Sequence, residues 1–69
     1  MDNVVGKFKH NGYEVTIRDD GKEYFIVELL DLGTGASYLR FPPKTGDLPR
    51  FISAEIKLIN KMRAFKVKA

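Results

Sequence analysis

The tetrapeptide His10-Asn11-Gly12-Tyr13 constrains this chain more than any other feature. Asn-Gly between two alternating segments is the strongest short-range hairpin signal, because both residues enter the left-handed backbone region at low cost. A two-residue turn there pairs His10 with Tyr13, Lys9 with Glu14, Phe8 with Val15 and Gly6 with Ile17. Phe8, Tyr13, Val15 and Ile17 then share one face, and Lys7, Lys9, Glu14, Thr16 and Arg18 share the other. A slip of one residue would exchange the two faces. Turn chemistry and hydrophobic alternation therefore specify the same register, with Phe8 expected in the core.

A second turn, Asp19-Asp20-Gly21-Lys22, leads into EYFIVELLDL. If Gly21 is left-handed in a three-residue loop, Phe25, Val27 and Leu29 face the core, with Tyr24 and Ile26 outside. A two-residue turn reverses that assignment. Either way the segment 23–30 is apolar on both faces, as in a central strand or one covered on its second side. A short strand, Ser37–Phe41, follows Leu32-Gly33-Thr34-Gly35-Ala36. PPKTGDLP, residues 42–49, then reads as a loop, since prolines and glycine suit neither helix nor ladder.

The closing stretch, residues 52–69, admits two readings. As a helix it places Ile52, Ile56 and Ile59 together, but Glu55 falls inside the apolar arc and Arg63 at its edge. Ser53 is a candidate N-cap, without the acidic residue three positions on that completes a capping box. As two strands turning at Asn60-Lys61, Ile52, Ala54, Ile56 and Leu58 alternate cleanly with polar residues, as do Phe65, Val67 and Ala69. That hairpin pairs Ile56 with Phe65, Ala54 with Val67 and Glu55 with Lys66, setting opposite charges across from each other. Alternation favours the hairpin, and the expected fold is one domain, residues 1–69: an all-β, five- to six-stranded antiparallel barrel of OB or SH3-like type. The runner-up is a four-stranded antiparallel sheet plus a C-terminal helix.

Composition narrows function. The 69 residues contain no cysteine and one histidine, which excludes disulfides and thiolate metal sites and leaves no recognisable metal spacing. Ser37 and Ser53 stand in no nucleophile motif, and Asp19-Asp20 reads as turn chemistry. Gly33-Thr34-Gly35-Ala36-Ser37 lacks the Gly-Lys-Ser/Thr ending and following helix of a phosphate loop. The expectation is a non-catalytic protein with no metal, cofactor or small-molecule substrate. No apolar run approaches the ~18 residues of a membrane span, and a cytoplasmic location is expected. A core this small without a staple favours a homodimer.

Charge is uneven. Residues 1–50 carry seven Lys/Arg against eight Asp/Glu, whereas residues 51–69 carry five against one. Lys7, Lys9 and Arg18 project from the outer face of the first hairpin, and Tyr24 joins them in one register. Tyr38 or Leu39, and Arg40 or Phe41, follow on the next strand according to pairing. Lys57, Lys66 and Lys68 form the solvent face of the closing hairpin. Lysines that track phosphate and aromatics that stack on bases are what single-stranded nucleic acid requires. The expected nucleic-acid-binding set is therefore Lys7, Lys9, Arg18, Tyr24, Tyr38, Arg40, Lys57, Lys66 and Lys68. The alternative is a small protein-interaction or inhibitor module that presents strand 23–30.

GKEYFIVELLDLGTGASYLRF, followed by a Pro/Gly loop and two closing strands, the last rich in basic and apolar residues, resembles the small single-stranded DNA-binding proteins of filamentous and other phages over residues 20–69. Gly21, Lys22 and Tyr24 match the Gly-Lys-x-Tyr start of a strand in that family. The resemblance implies an OB-type barrel that binds single-stranded DNA cooperatively, without sequence preference, as a dimer. The family's long DNA-binding wing has no counterpart in the short Asn-Gly and Asp-Gly turns.

Overall fold

A computed structural model describes residues 3–68, with side chains through Arg63. Four strands, β1 (Asn3–His10), β2 (Tyr13–Asp19), β3 (Ile26–Asp31) and β4 (Ser37–Arg40), precede one helix, α1 (Leu48–Lys68). The strands form an antiparallel meander in the order β1-β2-β3-β4. The sheet is open, and α1 covers one of its faces.

The first hairpin has the register that its turn demands. Asn11 and Gly12 both lie at positive φ, 52° and 82°, and His10 pairs with Tyr13 and Phe8 with Val15. A bulge between Val4 and Gly6 interrupts the far end of β1. Along β2–β3, Val15 faces Leu29 and Ile17 faces Val27, with Gly21 at φ 85° in the preceding loop. The faces are those expected for a left-handed Gly21, but the loop is not the three-residue one: Arg18 pairs with Ile26, and residues 20–25 separate the two strands. The Asp19 and Asp20 carboxylates accept the Gly21 and Lys22 N–H groups at 2.8 and 3.1 Å, so both aspartates shape the turn.

The closing hairpin is not formed, and with it the barrel falls. Residues 48–68 are one helix, so Ile56–Phe65, Ala54–Val67 and Glu55–Lys66 are not cross-strand pairs. Three causes act together. Asp47 caps the helix: its carboxylate accepts the Arg50 N–H at 3.2 Å, and its carbonyl accepts the Phe51 N–H at 3.0 Å. Pro49, in the first turn, falls where no intrahelical N–H partner exists, so it costs the helix no hydrogen bond. Ile52, Ile56 and Ile59 then form a buried ridge against Tyr13, Val15, Ile17, Val27 and Leu29. Ser53, the candidate cap of the helix reading, lies inside the helix.

The two charges that disfavoured a helix are answered from the sheet. Glu55 accepts from Arg40 Nε at 2.6 Å, and Arg63 pairs with the buried Asp31. Tyr13 donates its hydroxyl to Asn60 at 2.8 Å. Each of β2, β3 and β4 thus holds α1 by a polar contact as well as by burial. Phe8 faces the helix side but remains 43% exposed, because α1 leaves the edge strand β1 only partly covered.

Two stability outcomes are expected. Replacing Asn11-Gly12 by Ala-Ala forces two Cβ-bearing residues into left-handed backbone and should cost roughly 1–3 kcal/mol, read as a lower urea midpoint. Ile56→Ala should cost about 2–5 kcal/mol, and Phe8→Ala should cost less than the ~3–5 of a buried phenylalanine. An equal or larger loss at Phe8 would show that β1 is covered more fully than the structure has it.

Candidate nucleic-acid interface

Register decides which side chains meet on the face that α1 leaves bare. Across the sheet the outward rows run Lys9–Glu14–Leu30–Ser37, then Lys7–Thr16–Glu28–Leu39, then Arg18–Ile26. Tyr24 bridges to Pro43, and the Phe25 N–H donates to the Pro42 carbonyl at 2.9 Å, so β3–β4 pairing continues beyond Arg40. This continuation sets Phe41 opposite Ile26 on the bare face, with Tyr24 as a diagonal neighbour within reach of an aromatic ring. Tyr24 and Phe41 are 51% and 58% exposed.

Of the nine residues expected from sequence, Lys7, Lys9, Arg18 and Tyr24 share this face, with Lys9 and Tyr24 at its opposite corners. Their charge is partly answered on the same face. Arg18 Nη1 lies 3.2 Å from Glu28 Oε1, and Lys9 stands opposite Glu14. Lys7 stands opposite Thr16.

Tyr38 and Arg40 do not belong to this face. Both point to the helix side, where Tyr38 packs against the core and the Arg40 guanidinium lies 6.0 Å from the Tyr38 ring centre. Leu39 and Phe41 take the outward positions. The β3–β4 register, which sequence left open, is responsible.

Lys57, Lys66 and Lys68 were expected on a closing strand and lie on α1 instead. The side chains of Lys66 and Lys68 are outside the described residues. Lys57 is exposed on the helix surface turned away from the sheet, in one stripe with Arg50 and Lys61 at helical spacing. Arg50 and Lys61 escaped the sequence reading because the stripe exists only at a 3.6-residue period. Glu55, the only acid of α1, is turned towards Arg40. Two basic surfaces therefore lie on opposite sides of the molecule.

Asp31 ties the layers beneath the β3–β4 loop. Its carboxylate accepts the Gly33 N–H at 2.8 Å and the Thr34 N–H at 3.3 Å, and pairs with Arg63. Burial pushes this carboxyl upward, but the two backbone donors and the Arg63 charge outweigh it and hold it below the ordinary carboxylate range. At the other end of the sheet Lys44, bonded at 2.6 Å, lowers the Asp19 carboxyl with help from the Gly21 N–H. The Lys44 ammonium also sits 5.6 Å from the Phe25 ring centre, which ties the 42–47 loop to β3.

Among the described residues no group of His, Cys, Asp and Glu could hold a metal ion. Nor is any described helix long and apolar enough to cross a membrane. A shallow apolar groove of about 320 Å³ runs between Pro42, Pro43, Leu48 and Phe51. Comparison with family models, curated proteins and solved structures finds no match.

Acid should test the Asp31 tie. A carboxyl whose folded pKa is depressed contributes stability that is complete above its unfolded value near ~3.9 and is lost as pH falls through the folded value. The thermal midpoint should therefore fall between about pH 5 and pH 2. Asp31→Asn should lower the midpoint at neutral pH and make that acid limb shallower, with Asp19 supplying the remaining slope. An unchanged limb would detach Asp31 from the stability of the fold.

Proposed function

We propose that this protein is a non-catalytic, cytoplasmic nucleic-acid-binding protein that holds single strands, DNA or RNA, on the bare face of its sheet without strong sequence preference. The observation that carries this reading is the pair of half-exposed aromatics, Tyr24 and Phe41, on the same uncovered face as Lys7, Lys9 and Arg18. Aromatic rings in such a position offer stacking surfaces that accept any base. Lys7 and Lys9, on the edge strand, stand where a phosphate backbone crossing the sheet would pass. The resemblance to phage single-stranded DNA-binding proteins, whose closing strand pair is here replaced by α1, implies the same ligand on an open sheet in place of a barrel. The basic stripe of Arg50, Lys57 and Lys61 adds long-range attraction for a polyanion from the other side.

A second reading rests on a different observation. Ile26, Leu30 and Leu39 share the bare face with Glu14 and Glu28, and aliphatic side chains beside carboxylates suit a protein partner better than a polyanion. Salt separates the two, since nucleic-acid affinity falls steeply between about 50 and 200 mM salt while an apolar interface barely responds.

Titration of the protein with oligo-dT at these two salt concentrations is the deciding measurement. Lys7→Gln with Lys9→Gln should weaken binding and lower the log–log salt slope by roughly one to two units. Tyr24→Ala with Phe41→Ala should weaken it by about 1–3 kcal/mol per stacked base while leaving the slope alone. Loss of affinity confined to Lys57→Gln with Lys61→Gln would move the site to the helix. No affinity for oligonucleotide at low salt would leave the protein partner.

A further inference from the structure

We propose that the free edge of β4 pairs antiparallel with β4 of a second copy of this chain, about a two-fold axis at Leu39. The phase of the β3–β4 ladder carries the inference. The Phe25 N–H donates to the Pro42 carbonyl at 2.9 Å, and the Asp31 N–H donates to the Ala36 carbonyl at 2.7 Å. In an antiparallel ladder the residues that exchange such bonds alternate. Counting from either end, Val27–Arg40 and Leu29–Tyr38 bond to each other, so Ser37, Leu39 and Phe41 turn their peptide groups outward. The edge presents these groups in a self-complementary array. Leu39 meets Leu39 of the second copy, and Ser37 meets Phe41, each pair placed to exchange both backbone bonds.

Side chains repeat the same symmetry. On the helix side, pairing about Leu39 sets Tyr38 of one copy opposite Arg40 of the other. An electron-rich ring thereby faces a guanidinium, an attraction the chain already uses internally at 6.0 Å. On the bare face Leu39, 53% exposed, covers its own counterpart. The helix flank above this edge is apolar as well. Met62, 56% exposed, follows Glu55 by seven residues, and Glu55 is the group that binds Arg40.

The opposite edge is guarded in the ways that natural sheets guard edges. On β1 the outward peptide groups belong to Lys7 and Lys9, and a bulge bends the strand at Val5. β4 has neither a lysine nor a bulge. One internal donor competes: Arg40 Nη1 reaches the Leu39 carbonyl at 2.8 Å. In the dimer the Leu39 N–H of the second copy replaces it, while Arg40 Nε keeps Glu55. Strands this short bury little area, so association is weak and rises with concentration. This pairing rests on the strand edge alone and not on the reading of the bare face.

A chain without cysteine permits a clean test. In a hydrogen-bonded antiparallel pair the Cα atoms are about 5.5 Å apart, within the span of a disulfide. Leu39→Cys should therefore give a covalent dimer under mild oxidation much faster than Lys9→Cys on the guarded edge. Sedimentation of the unmodified protein should approach twice the 7.9 kDa chain mass as concentration rises. Leu39→Lys, with its circular dichroism unchanged, should remain at the single-chain mass. Three results would each overturn the proposal: a single-chain mass up to about 1 mM, equal crosslinking at both edges, or a dimer that survives Leu39→Lys but not Ile26→Lys. The last would place the second copy on the bare face.

Discussion

The fold depends on one ridge of three isoleucines. Ile52, Ile56 and Ile59 recur at helical spacing and bury themselves against Tyr13, Val15, Ile17, Val27 and Leu29. A four-stranded sheet alone would leave that apolar face in water, and a helix in a protein draws most of its stability from packing its apolar face rather than from propensity. Each element is stable because the other removes its apolar surface from solvent. Sidedness follows from the same contact. Once α1 occupies one face, the even-numbered residues of β2 and β3 are outside, and the candidate site lies among them.

Polar ties crossing the layers determine how the helix lies. Arg40–Glu55, Tyr13–Asn60 and Asp31–Arg63 draw on β4, β2 and β3 in turn, spaced along α1. Ridge packing alone permits some sliding, whereas these contacts have directions and distances. Asp31 is the most constrained of the three, since the same carboxylate also closes the β3–β4 loop through Gly33 and Thr34. Loop geometry and helix position are thereby coupled through one side chain. The bare face is thereby backed by a helix tied to the sheet at three points along its length.

The sheet meets solvent at one broad face and at two unlike edges. Lysines and a bulge on β1 repel another strand, while β4 offers an unguarded, self-complementary array. The basic stripe on α1 is a third surface, on the far side from Tyr24 and Phe41. Charge and aromatic residues that looked like one set in the linear chain are therefore divided between surfaces with different chemistry.

Local chemistry in the sequence by itself determined the first hairpin, its register, and the outward positions of Lys7, Lys9 and Arg18. Asn-Gly selects the turn, and the turn selects the faces, with no information needed from elsewhere in the chain. The Asp-Gly turn at position 21 left two face assignments open for Tyr24, Val27 and Leu29, and strand pairing chose between them. Only the tertiary structure decided the closing segment, because period-2 and period-3.6 patterns coexist in residues 52–59, and the helical reading is opposed mainly by Glu55 in its apolar arc and Arg63 at its edge. Those two charges have partners, Arg40 and Asp31, that are distant in sequence, so their cost in a helix is invisible until the layers meet. Asp47, the cap, stands directly ahead of Leu48-Pro49, but the three prolines of residues 42–49 locally signal loop rather than helix start. Tyr38 and Arg40 went to the helix side for a similar reason: strand pairing fixes the parity of a short strand, and strand pairing is not a local property.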